Sequence, residues 1–125
     1  FATARREAEE ELGLQLQSDH LLGELDSIET HSALPQLLIH PFVFALDHEP
    51  DLRPNPEVAS VHRLSLDALL DGVGRTAMSL PWRGGDWRLP CVEFDGVRLW
   101  GLTLLAVDDL LDRIDGKGGG LTDLL

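Results

Sequence analysis

ATARREAEEELGL, residues 2–14, decides how the rest of the chain is read. Ala4, Ala8 and Leu12 recur every four residues, which on a helix makes one narrow apolar stripe, and Gly13 stands where a left-handed C-cap belongs. The spacing predicts a helix over residues 2–12 that stops at Gly13. On it Glu7, Glu10 and Glu11 occupy positions i, i+3 and i+4, so their carboxylates converge on one face. Like charges so placed repel by a few tenths of a kcal/mol per pair. Glu9, Glu10 and Glu11 also fall in the last turn, where the helix dipole disfavours anions, and Arg5 and Arg6 near the start are wrong-ended too. A solvated acidic face with Arg6 and Glu10 paired is one account of the run. The other is a divalent-cation site, because hard oxygen donors suit Mg²⁺ or Mn²⁺ and an ion offsets the repulsion.

The whole chain is acidic, with 22 Asp and Glu against 10 Lys and Arg in 125 residues and a net charge of -12. Such a chain is repelled by phosphate backbones, which excludes nonspecific nucleic-acid binding; an anionic small molecule needs bridging cations to approach it. No apolar run nears the roughly 20 residues needed to cross a bilayer, so no membrane partner is expected. Cys91 is the one cysteine, which rules out an internal disulfide or a Cys-rich metal scaffold and points to a reducing, cytoplasmic setting. The chain starts at Phe1 instead of Met and reads as incomplete at its N-terminus. Its length suits one domain, residues 1–115, followed by a flexible glycine-rich tail, residues 116–125; GKGGG lacks the spacing of a phosphate-binding loop.

Two strands are expected next, one between His20 and Glu29 and one between Leu37 and Leu46, the second bent or at an edge because of Pro41. HEPDLRPNPE, His48 to Glu57, has three prolines and reads as a rigid surface loop, followed by a strand VASVHRL. Ser65 caps a short helix carrying Leu66, Leu69 and Leu70 and closed by Gly72. From Gly72 to Trp87 no period emerges. CVEF and VRLWGL flank Asp95-Gly96, a hairpin turn, and Thr103 is placed to cap a last helix with Leu104, Val107, Leu110, Leu111 and Ile114 in one stripe. An α+β fold or a layered α/β sandwich accommodates this order.

Arg6-Glu7-Ala8-Glu9-Glu10-Glu11-Leu12-Gly13-Leu14 resembles the second half of the Nudix box, Arg-Glu-U-x-Glu-Glu-x-Gly-U with U aliphatic or small, at every fixed position. The first half, a Gly and an upstream Glu, would fall before Phe1. Leu25-Asp26, Thr30, Pro41-Phe42, Asn55-Pro56-Glu57-Val58 and Leu99-Trp100-Gly101-Leu102-Thr103 are similar in order and spacing to the coenzyme A diphosphatase branch of that family. The branch's basic, histidine-containing segment ahead of the box is not in the chain. The resemblance implies a Nudix fold, an α/β/α sandwich with a mixed β-sheet between helices, and Mg²⁺- or Mn²⁺-dependent hydrolysis of a nucleoside diphosphate conjugate. Coenzyme A would give 3',5'-adenosine diphosphate and 4'-phosphopantetheine; ADP-ribose, NADH, a dinucleoside polyphosphate, or a catalytically silent binding module are the alternatives. It implies Glu10 and Glu11 as main metal ligands, Glu7 as a ligand through water or a base, and Arg6 as the partner of the upstream Glu. A further Glu from a later loop is expected, with Glu57 and Glu93 both open.

His20, His31, His40, His48 and His62 never stand at helical i, i+4 spacing, so a zinc site has no local basis. Thr30 and Ser32 beside His31 read as loop hydrogen-bonding residues, with substrate contact implied only by the resemblance. Trp100 is expected in the core, while Trp82 and Trp87, in an irregular loop, are open to stacking on a base. The stripe of the last helix can dock on the sheet or on a second subunit, which leaves a homodimer open.

Overall fold

The computed structural model describes residues 1–30 and 36–115. They form two compact units, one spanning Phe1–Arg63 and one beginning at Leu64. The expected tail, residues 116–125, lies outside the described residues.

In the first unit α1 runs over Ala2–Leu12, as the alanine spacing predicts, and Gly13 ends it at φ 64° and ψ 21°. Its N–H donates to the Glu9 carbonyl at 2.9 Å, and Leu14 N–H reaches Ala8 at 3.3 Å. A Cβ at Gly13 would stand 3.2 Å from Arg53 Cβ, so glycine is required both by the left-handed backbone and by the close approach of a later loop. Phe1, ahead of the helix, sets its ring 6.1 Å from those of Phe42 and Phe44 and carries the Arg5 guanidinium 5.4 Å above it. Arg5 Nε also donates to the Leu16 carbonyl at 2.7 Å, and Leu16 and Leu25 are the buried side chains of this unit.

A single-turn 3-10 helix at Ser18–His20 leads into β1 (Leu21–Glu24), then β2 (Ile28–Glu29), β3 (Leu38–Ile39) and β4 (Phe42–Phe44). The two expected strands are thus each broken in two. β1 pairs antiparallel with β4, Leu21 opposite Phe44 and Glu24 opposite Phe42, while β2 pairs with β3, Ile28 opposite Ile39. Pro41 has no N–H to give to a ladder, which explains the break; its carbonyl still accepts from Leu25 N–H at 3.0 Å and links the two pieces. The strand expected at VASVHRL does not form. Val61 is 40% exposed, and among the described residues no strand pairs with this stretch, so its valines alone did not suffice.

In the second unit Ser65 caps α2 (Leu66–Leu70) by accepting from Ala68 N–H at 3.2 Å. The stretch without a legible period is a long hairpin, β5 (Arg75–Trp82) and β6 (Gly85–Phe94), paired from Arg75 opposite Val92 to Trp82 opposite Gly85. Its turn, Arg83-Gly84, takes positive φ at both residues, 49° and 80°, the geometry usually advertised by Asn-Gly or Asp-Gly. Pro81 and Pro90 inside the strands further hid the pattern. Trp82 and Trp87 are therefore strand residues, and Trp87 is 56% exposed. Asp95-Gly96 makes the expected turn into β7 (Val97–Trp100). The last helix, α3 (Gly101–Ile114), starts directly from β7 with Trp100 at its N-cap, so Thr103 is two residues inside it and caps nothing. Trp100, expected in the core, is 41% exposed at this junction.

α3 docks on β6 and β7 of its own unit, whose buried side chains among the described residues are Leu104 and Leu111 of α3 and Cys91 and Val92 of β6. Arg75 on β5 reaches Asp108 on α3 with a 2.6 Å contact, and Arg113 pairs with Asp109 one turn back at 3.1 Å. The α+β class holds. Every pairing among the described residues is antiparallel, in sheets β1-β4, β2-β3 and β5-β6-β7, and the expected mixed sheet between helical layers is not among them. Replacing Gly13 by Ala forces an L-residue into the left-handed region against Arg53. Urea denaturation is expected to show a loss of about 1–2 kcal/mol, and Gly13→Asn a smaller one.

Candidate functional site

The three box carboxylates are laid out by α1 alone. Glu7 and Glu11 stand one turn apart on the same helix. Partial desolvation, the Glu7 carboxylate, then Glu57 and Glu10 hold the Glu11 carboxyl above its usual range. Glu10 looks to the other flank, where Arg6 Nε stands 4.0 Å from it across one helical turn and Arg6 Nη2 stands 3.4 Å from Glu7. Arg6 thus pairs with the acids of its own helix.

Glu57 arrives from 45 residues and more downstream because the Pro-rich loop is tied to the end of α1. Arg53 N–H donates to the Leu12 carbonyl at 2.7 Å and Asn55 N–H to Glu11 at 2.8 Å. Asn55 Nδ2 donates to Glu10 at 2.9 Å. Helix ends leave four carbonyls without intrahelical donors, and residues 53–55 satisfy three in a row. Asn55 Oδ1 then accepts from Glu57 N–H at 2.9 Å, an Asx turn that carries Glu57 toward Glu11. Sequence reading took this segment for a rigid surface loop and did not anticipate Asn55 as the tie. The available signal was Asn-Pro followed by Glu, a turn-initiating pattern without an address.

Thr30 and Glu93, also expected at the site, have local partners of their own. Thr30 Oγ1 accepts from Leu37 N–H at 2.8 Å and donates to the Leu37 carbonyl at 3.3 Å, joining the two ends of the loop between β2 and β3. Ser32 and His31 lie outside the described residues. Glu93 belongs to the second unit, where it takes a 3.0 Å bond from Arg98 across the β6–β7 pair. The Trp82 side chain lies outside the description, so stacking there has no geometry to set against it.

Among the described residues no three His, Cys, Asp or Glu side chains are drawn together closely enough to hold a metal ion as they stand. The donor set nevertheless suits a hard divalent cation. Four carboxylates raise the proton affinity of one of their number, and a cation is the partner that relieves this. Arg6 also lines, with Arg5, Glu9 and Gln17, a cavity of about 330 Å³.

Substituting Thr30 by Val removes both side-chain bonds to Leu37, leaving the Thr30 N–H bond to the Leu37 carbonyl, and is expected to cost about 1 kcal/mol in a denaturation experiment, most of which Thr30→Ser restores.

A family model described as the NUDIX domain matches residues 1–82. The chain is also 29% identical over 115 residues to a protein named uncharacterized Nudix hydrolase NudL from Photorhabdus laumondii subsp. laumondii, across 91% of this chain and 60% of that protein. It spans about three fifths of the length of the curated relative it matches. No solved structure matches.

Proposed function

The chain belongs to the Nudix family, and from that premise we propose that it acts as a divalent-metal-dependent hydrolase of the diphosphate bond in a nucleotide conjugate. The observation that carries the reading is the gathering of Glu7, Glu10 and Glu11 on α1 with Glu57 tied to the end of the same helix. The match runs through residues of both compact units, which supports treating residues 1–115 as one functional domain. The layered α/β/α sandwich belongs to the same proposal.

Glu10 and Glu11 would hold the ion, Mg²⁺ or Mn²⁺, with Glu7 and Glu57 completing the acidic surround. When bound, the ion neutralises phosphate oxygens and makes water more acidic. Water's oxygen bonds to one phosphorus, the bridging P–O bond breaks, and a carboxylate, Glu7 among the candidates, takes the proton. Arg6, once released by Glu7 and Glu10, is free to meet phosphate oxygens at the edge of the neighbouring cavity. The net charge of -12 makes bridging cations a condition for an anionic substrate to settle here.

Coenzyme A is the proposed substrate class on the strength of Asn55-Pro56-Glu57-Val58 and Leu99-Trp100-Gly101-Leu102-Thr103; ADP-ribose, NADH and dinucleoside polyphosphates are the competing conjugates. No helix among the described residues is long and apolar enough to cross a membrane, and Cys91 is a free, buried thiol, which support a cytoplasmic setting. Leu102 and Leu105 stay exposed on α3 beyond its contact with β6 and β7, which supports a second copy as partner. A different reading, a silent binding module, is favoured by one observation: Arg6 already pairs with Glu7 and Glu10.

Product analysis of the full chain with Mg²⁺ or Mn²⁺ and the four conjugates tests this. Turnover is expected with metal, to vanish with EDTA, and to fall at least about 100-fold in Glu10→Gln and Glu11→Gln. Preference for another conjugate keeps the chemistry and discards coenzyme A. No turnover by the folded chain, with no Mn²⁺ bound in a calorimetric titration, establishes the silent module instead.

A further inference from the structure

We infer that Asn55 is a positioning residue for Glu57: it binds the last carbonyls of α1 and the Glu57 amide at once, and so sets where the Glu57 carboxylate stands relative to Glu11. The inference rests on the reading that these carboxylates hold a divalent cation. Asparagine is the shortest side chain that carries an N–H donor and a carbonyl acceptor together, and both are used. Nδ2 is spent on Glu10 at 2.9 Å and Oδ1 on Glu57 N–H at 2.9 Å, while the backbone N–H is spent on Glu11 at 2.8 Å. The Asn55 carbonyl accepts from Val58 N–H at 3.0 Å, which closes the turn behind Glu57. Pro54 and Pro56 fix φ on either side, so the amide is presented from a stiff frame. The result is a continuous path of short bonds from the helix that carries Glu10 and Glu11 to the backbone of Glu57.

A loop anchor without influence on the cation would need only the backbone bonds of Arg53 and Asn55. The two side-chain bonds distinguish the proposed role. Asp in place of Asn keeps an acceptor for Glu57, loses the donor to Glu10, and sets a negative charge at the negative end of the helix. Partners that orient a metal's ligands are commonly worth 10–100-fold in metal affinity.

The test compares the full chain with Asn55→Ala, Asn55→Asp, Glu57→Gln and the double variant Asn55→Ala/Glu57→Gln. Two readouts are used: amide hydrogen exchange by NMR without metal, and Mn²⁺ affinity by calorimetry. Protection of the Glu57 amide is expected in the parent and in Asn55→Asp and is lost in Asn55→Ala. Mn²⁺ affinity is expected to fall about tenfold or more in Asn55→Ala, less in Asn55→Asp, and no further in the double variant than in Glu57→Gln alone. If Asn55→Ala does not fold, Asn55→Asp carries the comparison. Unchanged Glu57 protection in Asn55→Ala, unchanged Mn²⁺ affinity, or additive losses in the double variant overturn the role. A parent chain with a protected Glu57 amide that binds no Mn²⁺ overturns the cation reading instead, and leaves Asn55 as a helix cap.

Discussion

The C-terminal carbonyls of α1 are the constraint around which the candidate site is organised. A helix that stops sharply at Gly13 must find donors for Glu10, Glu11 and Leu12, and it finds them on residues 53–55. Those three bonds turn a proline-rich loop into a fixed wall of the site. They also explain why Gly13 faces Arg53 so closely, since the loop can lie against the helix end only where no Cβ intervenes. Capping a helix and recruiting Glu57 are one event.

Electrostatics works against that arrangement in the free protein. Glu10 and Glu11 sit in the last turn of a helix whose dipole disfavours anions, and partial desolvation together with the charges of Glu7, Glu57 and Glu10 raises the proton affinity of Glu11. Arg6 relieves Glu7 and Glu10 in part, from a solvent-exposed position where such pairs are worth little. A fold rarely keeps a cluster of unmatched charge without use for it. The divalent cation proposed for this site would relieve the same repulsion.

Much of the chemistry was legible because it is local. The i, i+3, i+4 acids, the alanine stripe and Gly13 lie within about three turns of one another, and helix periodicity places them without help from the rest of the chain. Asp95-Gly96 and Ser65 were equally readable, since a two-residue turn and an N-cap are local devices. The β5–β6 hairpin was not, because Arg83-Gly84 lacks the usual turn chemistry and Pro81 and Pro90 interrupt the alternation. VASVHRL failed in the opposite direction: its valines suit a strand, but a strand exists only with a partner, and composition says nothing about partners. Trp100 was expected inside because large aromatics usually are; its place at the strand-to-helix junction leaves much of it in solvent.

By itself, then, the sequence determined the helix, its acidic face, its left-handed end and the family to which they belong, all of them consequences of spacing along a single element. Tertiary structure brought the charge of Glu57 to bear on Glu11, turned Asn55 from a loop residue into a tie, and set Thr30 to closing its own loop. These depend on bonds between residues 7 to 45 positions apart, where side-chain type permits many partners and only the folded backbone selects one.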